Sequence, residues 1–484
     1  MLAIHLGAET GRAVLGWPEG GYLQTEEIHR FPNEPIHLPD GLRWNILSLY
    51  KEIWRAIDEA LAARGTTGLT LVSVGIDSWG VDYGLLDGHG TLTGPPFHHR
   101  DPRTLPQLER VHERMSEQAL YEATGVRSSP ANTLFQLLAD QEAGRLEHAG
   151  HLLLIPDLIA YWLTGVPSGE ATIASTTQLL DPFNHRWSRP VIEAFDLPER
   201  LFPELTPAGS VRGRLIDRDD RAIGDVSVIN VASHDTASAF VAADAPPGSM
   251  VISAGTWFLV GREQAAPIVT PDALAAGFTN ELGYGGTIRF VKNGCGLWLL
   301  QEARRFWQRE GQSASYANLA ERAAVAAPLY ALFDPDDPRF YAPGPMNERI
   351  AAACQERGDP APASTGEVVR AIIDSLAMSM RRALDDLIRV TGEPVEQITI
   401  VGGGTKNALL CQAIADATNC PVVTGPAEAT AVGSLLVQGI TNGFFADLAA
   451  ARAALPTGAY AQRFAPSADR DTWEAGYRRF LGAR

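Results

Sequence analysis

In the segment NVASHDTASAFVAA (230–243), Ser233, His234, Asp235 and Thr236 stand between an apolar run, VSVINVA, and small residues that open a helix. Asp235 reads in two compatible ways. It is a helix N-terminal residue, where Asp and Thr are favoured, or a general base that takes the proton of a hydroxyl during phosphoryl transfer. Upstream, GIDSWGVD (75–82) sets Asp77, Trp79 and Asp82 around Gly80. Carboxylates accept hydroxyl hydrogen bonds and an indole packs on C–H faces, a set suited to a polyol; the alternative is a solvent-exposed turn. HHRDPRT (98–104) concentrates imidazole, guanidinium and carboxylate, and reads first as a surface salt-bridge cluster.

A phosphate-bearing ligand needs backbone amides that approach it closely. LAIHLGAETGRAVLGW (2–17) and SMVISAGTWFLVG (249–261) each put a small-residue turn between two apolar, β-prone runs, which predicts two hairpins with small tips. Glycine carries no Cβ and Ser or Thr adds a donor, so such tips admit an anion, and Arg12 follows the first of them. Two such hairpins half a chain apart predict a duplicated domain. Gly402, Gly403 and Gly404 lie between a strand and a helix in QITIVGGGTKNALLCQAIADATNCPVV, where phosphate or adenosine meets a helix N-terminus; a plain tight turn is the alternative. Neither a Walker A loop nor a Rossmann fingerprint is present.

The elements that position these residues alternate between helix and strand. Residues 45–65 have apolar residues at helical spacing and end on Gly65, and 71–87 reads as strand, turn, strand. A long helix is predicted over 364–392, with Ser364 and Glu367 at capping-box spacing, an apolar stripe at 368, 372, 376, 380, 384 and 388, and Gly392 as its stop. At 484 residues the chain exceeds what one core serves, so two α/β domains are expected, 1–230 and 231–484. A net charge of −17 offers no general attraction to nucleic acid or an anionic membrane, so small molecules are the expected partners. The start MLAIHLGAETGR lacks a leader pattern and no stretch is apolar enough to span a bilayer, so a cytoplasmic protein is expected. Four cysteines, with no CxxC pair and no histidine at zinc spacing, predict buried thiols.

Taken in order, GAETGR, GIDSWGVDYGLLD, SHDTAS and SAGTWFLVG resemble the FGGY carbohydrate kinases, as do HRDPRT, NTLFQLLA, IPDLIAYWLTG, STTQLLD, VKNGCGLWLLQE, DPDDPRF, IVGGGTKNALL and GPAEATAVG. The resemblance covers nearly the whole chain. It implies two ribonuclease-H-like (actin-like ATPase) domains flanking a hinged cleft, with sugar on the N-terminal side and ATP on the C-terminal side. It implies Asp235 as proton acceptor, Gly80, His234, Asp235, Thr236 and Asn293 at the sugar, and Ala8, Glu9, Thr10, Gly11, Arg12, Thr256, Gln301 and Gly403 at ATP. The acceptor it implies is a ketose such as L-rhamnulose, with fuculose or xylulose as rivals, and Mg²⁺ accompanies ATP. One residue departs from the pattern: the first strand of such kinases ends in Asp-x-Gly, and here it is His5-Leu6-Gly7. An imidazole is a poor ligand for Mg²⁺. Either His5 only packs, with the metal carried by ATP, waters and Asp235, or metal positioning is weakened and the chain is a slow enzyme or a sensor.

Overall fold

The computed structural model describes residues 1–63, 68–217, 223–312, 315–456, 461–467 and 469–482. Gly65, the expected end of the first helix, lies outside them. Two compact units emerge, the first built from Met1–Ala242, Glu263–Phe290 and Ala429–Thr457, the second from Ala243–Arg262, Val291–Glu428 and Gly458–Arg484. They interleave along the chain. The segment 231–242 stays with the first unit, and so does a helix from far downstream.

In the first unit, β1 (Leu2–Leu6), β2 (Thr10–Glu19) and β3 (Tyr22–Pro32) form an antiparallel meander. Helix α1 (Ile46–Ala62) follows, capped by the Asn45 side chain and burying Ile46, Leu49, Ile53, Ala56, Ile57 and Ala60 at helical spacing. Strand β4 (Ser73–Ser78) then pairs parallel to β1 and is buried throughout, as a strand covered on both faces must be. The expected partner strand, β5 (Tyr83–Asp87), leaves this sheet and pairs instead with β6 (Ala149–Leu154), because Val81, at φ 69°, turns the chain through the left-handed region. Strands β7 (Val211–Arg214) and β8 (Ser227–Ile229) complete the sheet in the order β7-β8-β4-β1-β2-β3, with β8 parallel to β4. Helix α2 (Asp235–Ala242) leaves β8 and packs on the helix Ala429–Thr441, which also covers β1 and β4.

The second unit repeats the plan. Strands β9 (Met250–Ala254) and β10 (Trp257–Gln264) form the second predicted hairpin; β11 (Ile288–Cys295), β12 (Ile398–Val401) and β13 (Val422–Thr424) extend its sheet in the order β11-β10-β9-β12-β13. As β4 does beside β1, β12 runs parallel to β9, and β13 runs parallel to β12. The order matches β3-β2-β1-β4-β8, the duplication that the two hairpins predict. Between β11 and β12 stand α3 (Trp298–Arg309) and α4 (Thr365–Thr391); α5 (Ala408–Thr418) follows β12. In α4 both halves of the Ser364–Glu367 capping box are made and Gly392, at φ 69°, ends the helix. Val368, Ile372, Leu376, Met380 and Leu384 are buried, while Ile388 is 36% exposed, so the stripe stops a turn short. No helix among the described residues is long and apolar enough to cross a membrane.

The contact between α2 and the helix Ala429–Thr441 is so close that a Cβ on Gly433 falls 1.8 Å from the Ser238 carbonyl oxygen. Neither backbone yields cheaply. Gly433→Ala is expected to lower stability by about 1–3 kcal/mol in urea unfolding and to disturb the start of α2, where Asp235 sits; an unchanged midpoint would show that the helices part without cost.

Candidate active site

The Asp235 loop is held by its backbone and by buried charge. The Ser78 amide donates to the Ser233 carbonyl at 2.9 Å, tying the end of β4 to the loop after β8. The His234 carbonyl accepts from Ala237 and Ser238, so His234 occupies the cap position and Asp235 is the first helical residue. Its carboxylate accepts from the Thr236 amide at 2.5 Å and keeps 25% of its surface in solvent. Fully buried Arg289 grips both neighbours of Asp235. It donates to Thr236 Oγ1 at 2.9 Å, to Glu281 Oε2 at 2.8 Å and to the Leu282 carbonyl at 3.1 Å, and its Nη2 lies 3.0 Å from His234 Nδ1. Burial alone would raise the Glu281 carboxyl, but His234 and Arg289 hold it down at about 2. Buried Glu170 accepts from the Ser233 amide at 3.1 Å as well as from Thr172 and Ile173, and burial pushes it up to about 7.

The first hairpin turns at Gly7, whose amide donates to the Thr10 carbonyl at 3.0 Å; Ala8 and Glu9 are exposed at its tip. Asn33 pins the turn by donating Nδ2 to the Gly7 carbonyl at 2.8 Å. Gly11 is buried against the Phe31 ring and seats the strand, while Arg12 is half-buried. His5 and Asp77 are partners in the β1–β4 register, with His5 Nδ1 2.6 Å from Asp77 Oδ1. Burial raises the Asp77 carboxyl, with Asp235 adding to it and His5 and Arg12 drawing it down. These donors do not suit a protein-held Mg²⁺, which requires hard oxygens in near-octahedral array. Residue 5 is an imidazole, it engages Asp77, and among the described residues no three His, Cys, Asp or Glu side chains converge as a metal cage.

The GIDSWGVD segment is not an exposed turn: Asp77, Trp79 and Asp82 are buried. Nor is Asp82 a free acceptor for a polyol. It receives Trp44 Nε1 at 2.6 Å, Trp79 Nε1 at 2.9 Å and Gln136 Nε2 at 2.9 Å, and His99 Nδ1 stands 2.8 Å away. Burial works against its ionisation, but His99, Trp44 and Gln136 together leave its pKa lowered. Gly80 presses on Thr176, where a Cβ would come 2.9 Å from Oγ1. HHRDPRT is likewise not a plain surface cluster: His98, Asp101 and Thr104 are buried and His99 and Arg103 partly so, while Arg100 and Pro102 are exposed. His98 stacks on Trp44 at 4.2 Å, Arg103 binds Asp140 at 2.8 Å, and Arg43 and Arg103 lie over Phe97 at 3.3 and 3.8 Å. Trp44, Glu170, Glu281 and Arg289 carried no recognisable local motif, and Gln136 lies in NTLFQLLA, where nothing local marked it as a partner of Asp82.

In the second unit the structure gathers three of the four expected residues around the end of β9. Gln301, on α3, donates to Thr256 Oγ1 at 3.4 Å, and its own Oε1 is buried without a partner. Gly402 and Gly404 lie against Ala254, where a Cβ on either would fall 3.0 and 2.5 Å from its atoms, and Gly402 has φ 87°. Gly403 between them is exposed with open space around it. Asn293 stands exposed on β11, beside Lys292, which pairs with Asp386 at 3.0 Å.

A duplicated five-strand plan, with a small-residue hairpin in each copy and a partly exposed aspartate heading a helix, is the two-part α/β plan of the ribonuclease-H-like class. The chain belongs to the FGGY family of carbohydrate kinases, whose N-terminal domain model matches residues 1–242 and whose C-terminal domain model matches 250–441. It is 38% identical over 484 residues to the rhamnulokinase of Bacteroides thetaiotaomicron, covering 99% of this chain and 98% of that one. To the rhamnulokinase of Oceanobacillus iheyensis it is 38% identical over 440 residues, covering 90% and 92%. Among solved structures, the xylulose kinase of Rhodospirillum rubrum shares the fold at a TM-score of 0.80 and 17% identity, over 99% of this chain and 97% of that one. The Plasmodium falciparum glycerol kinase with ADP also matches at 0.80, with 14% identity over 100% and 97%.

The Asp82 hub yields a prediction. Asp82→Ala leaves several buried donors without their acceptor and is expected to cost about 3–5 kcal/mol, read by urea unfolding. A loss under about 1 kcal/mol would show that the network does not hold the segment.

Proposed function

We propose that this chain transfers the γ-phosphoryl group of ATP to the 1-hydroxyl of L-rhamnulose, giving L-rhamnulose 1-phosphate and ADP. The observation that carries the choice of sugar is the 38% identity to a named rhamnulokinase along 99% of the chain. In this reading Asp235 accepts the hydroxyl proton while the sugar oxygen bonds to phosphorus and the β,γ-bridging P–O bond breaks. His234 and Thr236, fixed by Arg289, flank that carboxylate as sugar contacts, with Gly80 and Asn293 completing the set. Ala8, Glu9, Thr10, Gly11, Arg12, Thr256, Gln301 and Gly403 are assigned to ATP. Mg²⁺ would accompany the ATP phosphates and neutralise their charge, with no protein cage for it among the described residues, and we place the reaction in the cytoplasm, where ATP is supplied.

Sugar-dependent ADP release with L-rhamnulose, xylulose and fuculose tests the substrate; a far higher kcat/KM for either rival overturns it. Asp235→Asn is expected to keep the fold and much of the nucleotide affinity while lowering kcat by about 10²–10⁴-fold. Near-normal turnover in the folded variant would remove Asp235 from the chemistry.

Gly403→Ala gives a second check, because the structure has room for the methyl group and the fold is expected to be unchanged. The bound nucleotide is not: ATP affinity is expected to fall, while Thr256→Val, which deletes the hydroxyl at the hairpin tip, slows turnover. Calorimetric titration of Gly403→Ala and sugar-dependent ADP release by Thr256→Val read this, and unaltered ATP binding by Gly403→Ala moves the adenosine elsewhere.

A further inference from the structure

Residue 5 carries an imidazole where a carboxylate would serve a metal, and its surroundings give that imidazole a task of its own. The reading rests on the proposal above that the first hairpin receives ATP phosphates. Asp77, His5, Arg12 and Arg30 are successive partners on β4, β1, β2 and β3, so their side chains share one face of the sheet. Arg30 is engaged by Glu27 at 2.8 and 2.6 Å. His5 is held on one side only: Nδ1 lies 2.6 Å from Asp77 Oδ1, and Nε2 points to the turn, 3.1 Å from where a Cβ on Gly7 would stand. Any side chain at position 7 would cover Nε2, and glycine leaves it open. The imidazole keeps 12% of its surface in solvent, whereas Asp77 is fully buried, so of this pair only His5 meets a ligand at the turn.

We propose that His5 Nε2 donates a hydrogen bond directly to a phosphate oxygen of ATP at the Gly7 turn, with Asp77 as the positioning residue that fixes the ring. This needs the tautomer in which Asp77 engages Nδ1 and leaves the N–H on Nε2, toward the phosphate. A carboxylate at position 5 faces phosphate only across an intervening cation, because the two anions repel; an imidazole donor needs none. Nucleotide binding by this chain is therefore less dependent on divalent metal than it becomes when an acid replaces the histidine.

Calorimetric titration of ATP into the full chain, once with Mg²⁺ and once with EDTA, tests this without turnover. For the wild type, the Kd in EDTA is expected to stay within about tenfold of the Mg²⁺ value, since a charge-assisted hydrogen bond replaces the metal bridge. His5→Asp is expected to weaken EDTA binding by a further tenfold or more, roughly one charge-assisted bond, while Mg²⁺-ATP binding stays within about threefold. His5→Gln, which keeps an N–H donor, is expected to fall between the two. The inference is overturned if wild-type binding drops more than tenfold in EDTA, a result that needs no variant to fold, or if His5→Asp and His5→Gln both bind metal-free ATP as the wild type does. A wild type that binds ATP under neither condition overturns the kinase reading itself, and this inference with it.

Discussion

The parallel pairing of β1 with β4, and of β4 with β8, is the constraint from which the first unit's site follows. Parallel strands end on the same edge, and at that edge the backbone must leave the sheet. Three such exits coincide: the Gly7 turn after β1, the Trp79–Val81 bend after β4, and the Ser233–His234 link into α2 after β8. The register sets His5 beside Asp77, and an isolated parallel bridge sets Ser78 beside His234. A shift of one residue would turn every one of these side chains to the opposite face. The second unit repeats the geometry with β9, β12 and β13, and its Thr256 and glycine run stand where the strands end.

What surrounds those exits is charged and dry. Asp82, Glu170, Glu281 and Arg289 are each at least nine-tenths buried, and each is met by several partners. Such groups gain little net stability over a well-packed apolar core, because desolvation offsets the attraction. Their effect is on shape. Arg289 has one arrangement in which it reaches Thr236, Glu281 and the Leu282 carbonyl together, and that arrangement leaves the carboxylate of Asp235 facing outward between two fixed neighbours.

Local signals were legible wherever the cause is local. The capping box at Ser364, the stop at Gly392 and both hairpin turns are set by residues a few positions apart, and each stands where its spacing places it. The charged segments misled for the opposite reason. HHRDPRT reads as solvated because nothing near it in sequence shows that Trp44 and Asp140 will close over it, and Asp82 reads as free because three of its partners lie 17 to 54 residues away. Glu281 and Arg289, which brace the Asp235 loop, stand about 50 residues beyond it in a stretch without periodicity. No composition shift records that Ala429–Thr441 packs on α2.

That late helix has a consequence for the chain as it is made. Domains ordinarily fold in turn as they leave the ribosome, at roughly 5–20 residues per second. Here β1, β4 and α2 emerge early but lack the helix carrying Gly433 and Gln438 until the intervening second unit has been synthesised. During an interval of roughly 10–40 s at those rates, the apolar surface that this helix will cover has no native cover. The nascent first half is thus the stage most exposed to misassociation, and the protein's dependence on chaperones should be concentrated there.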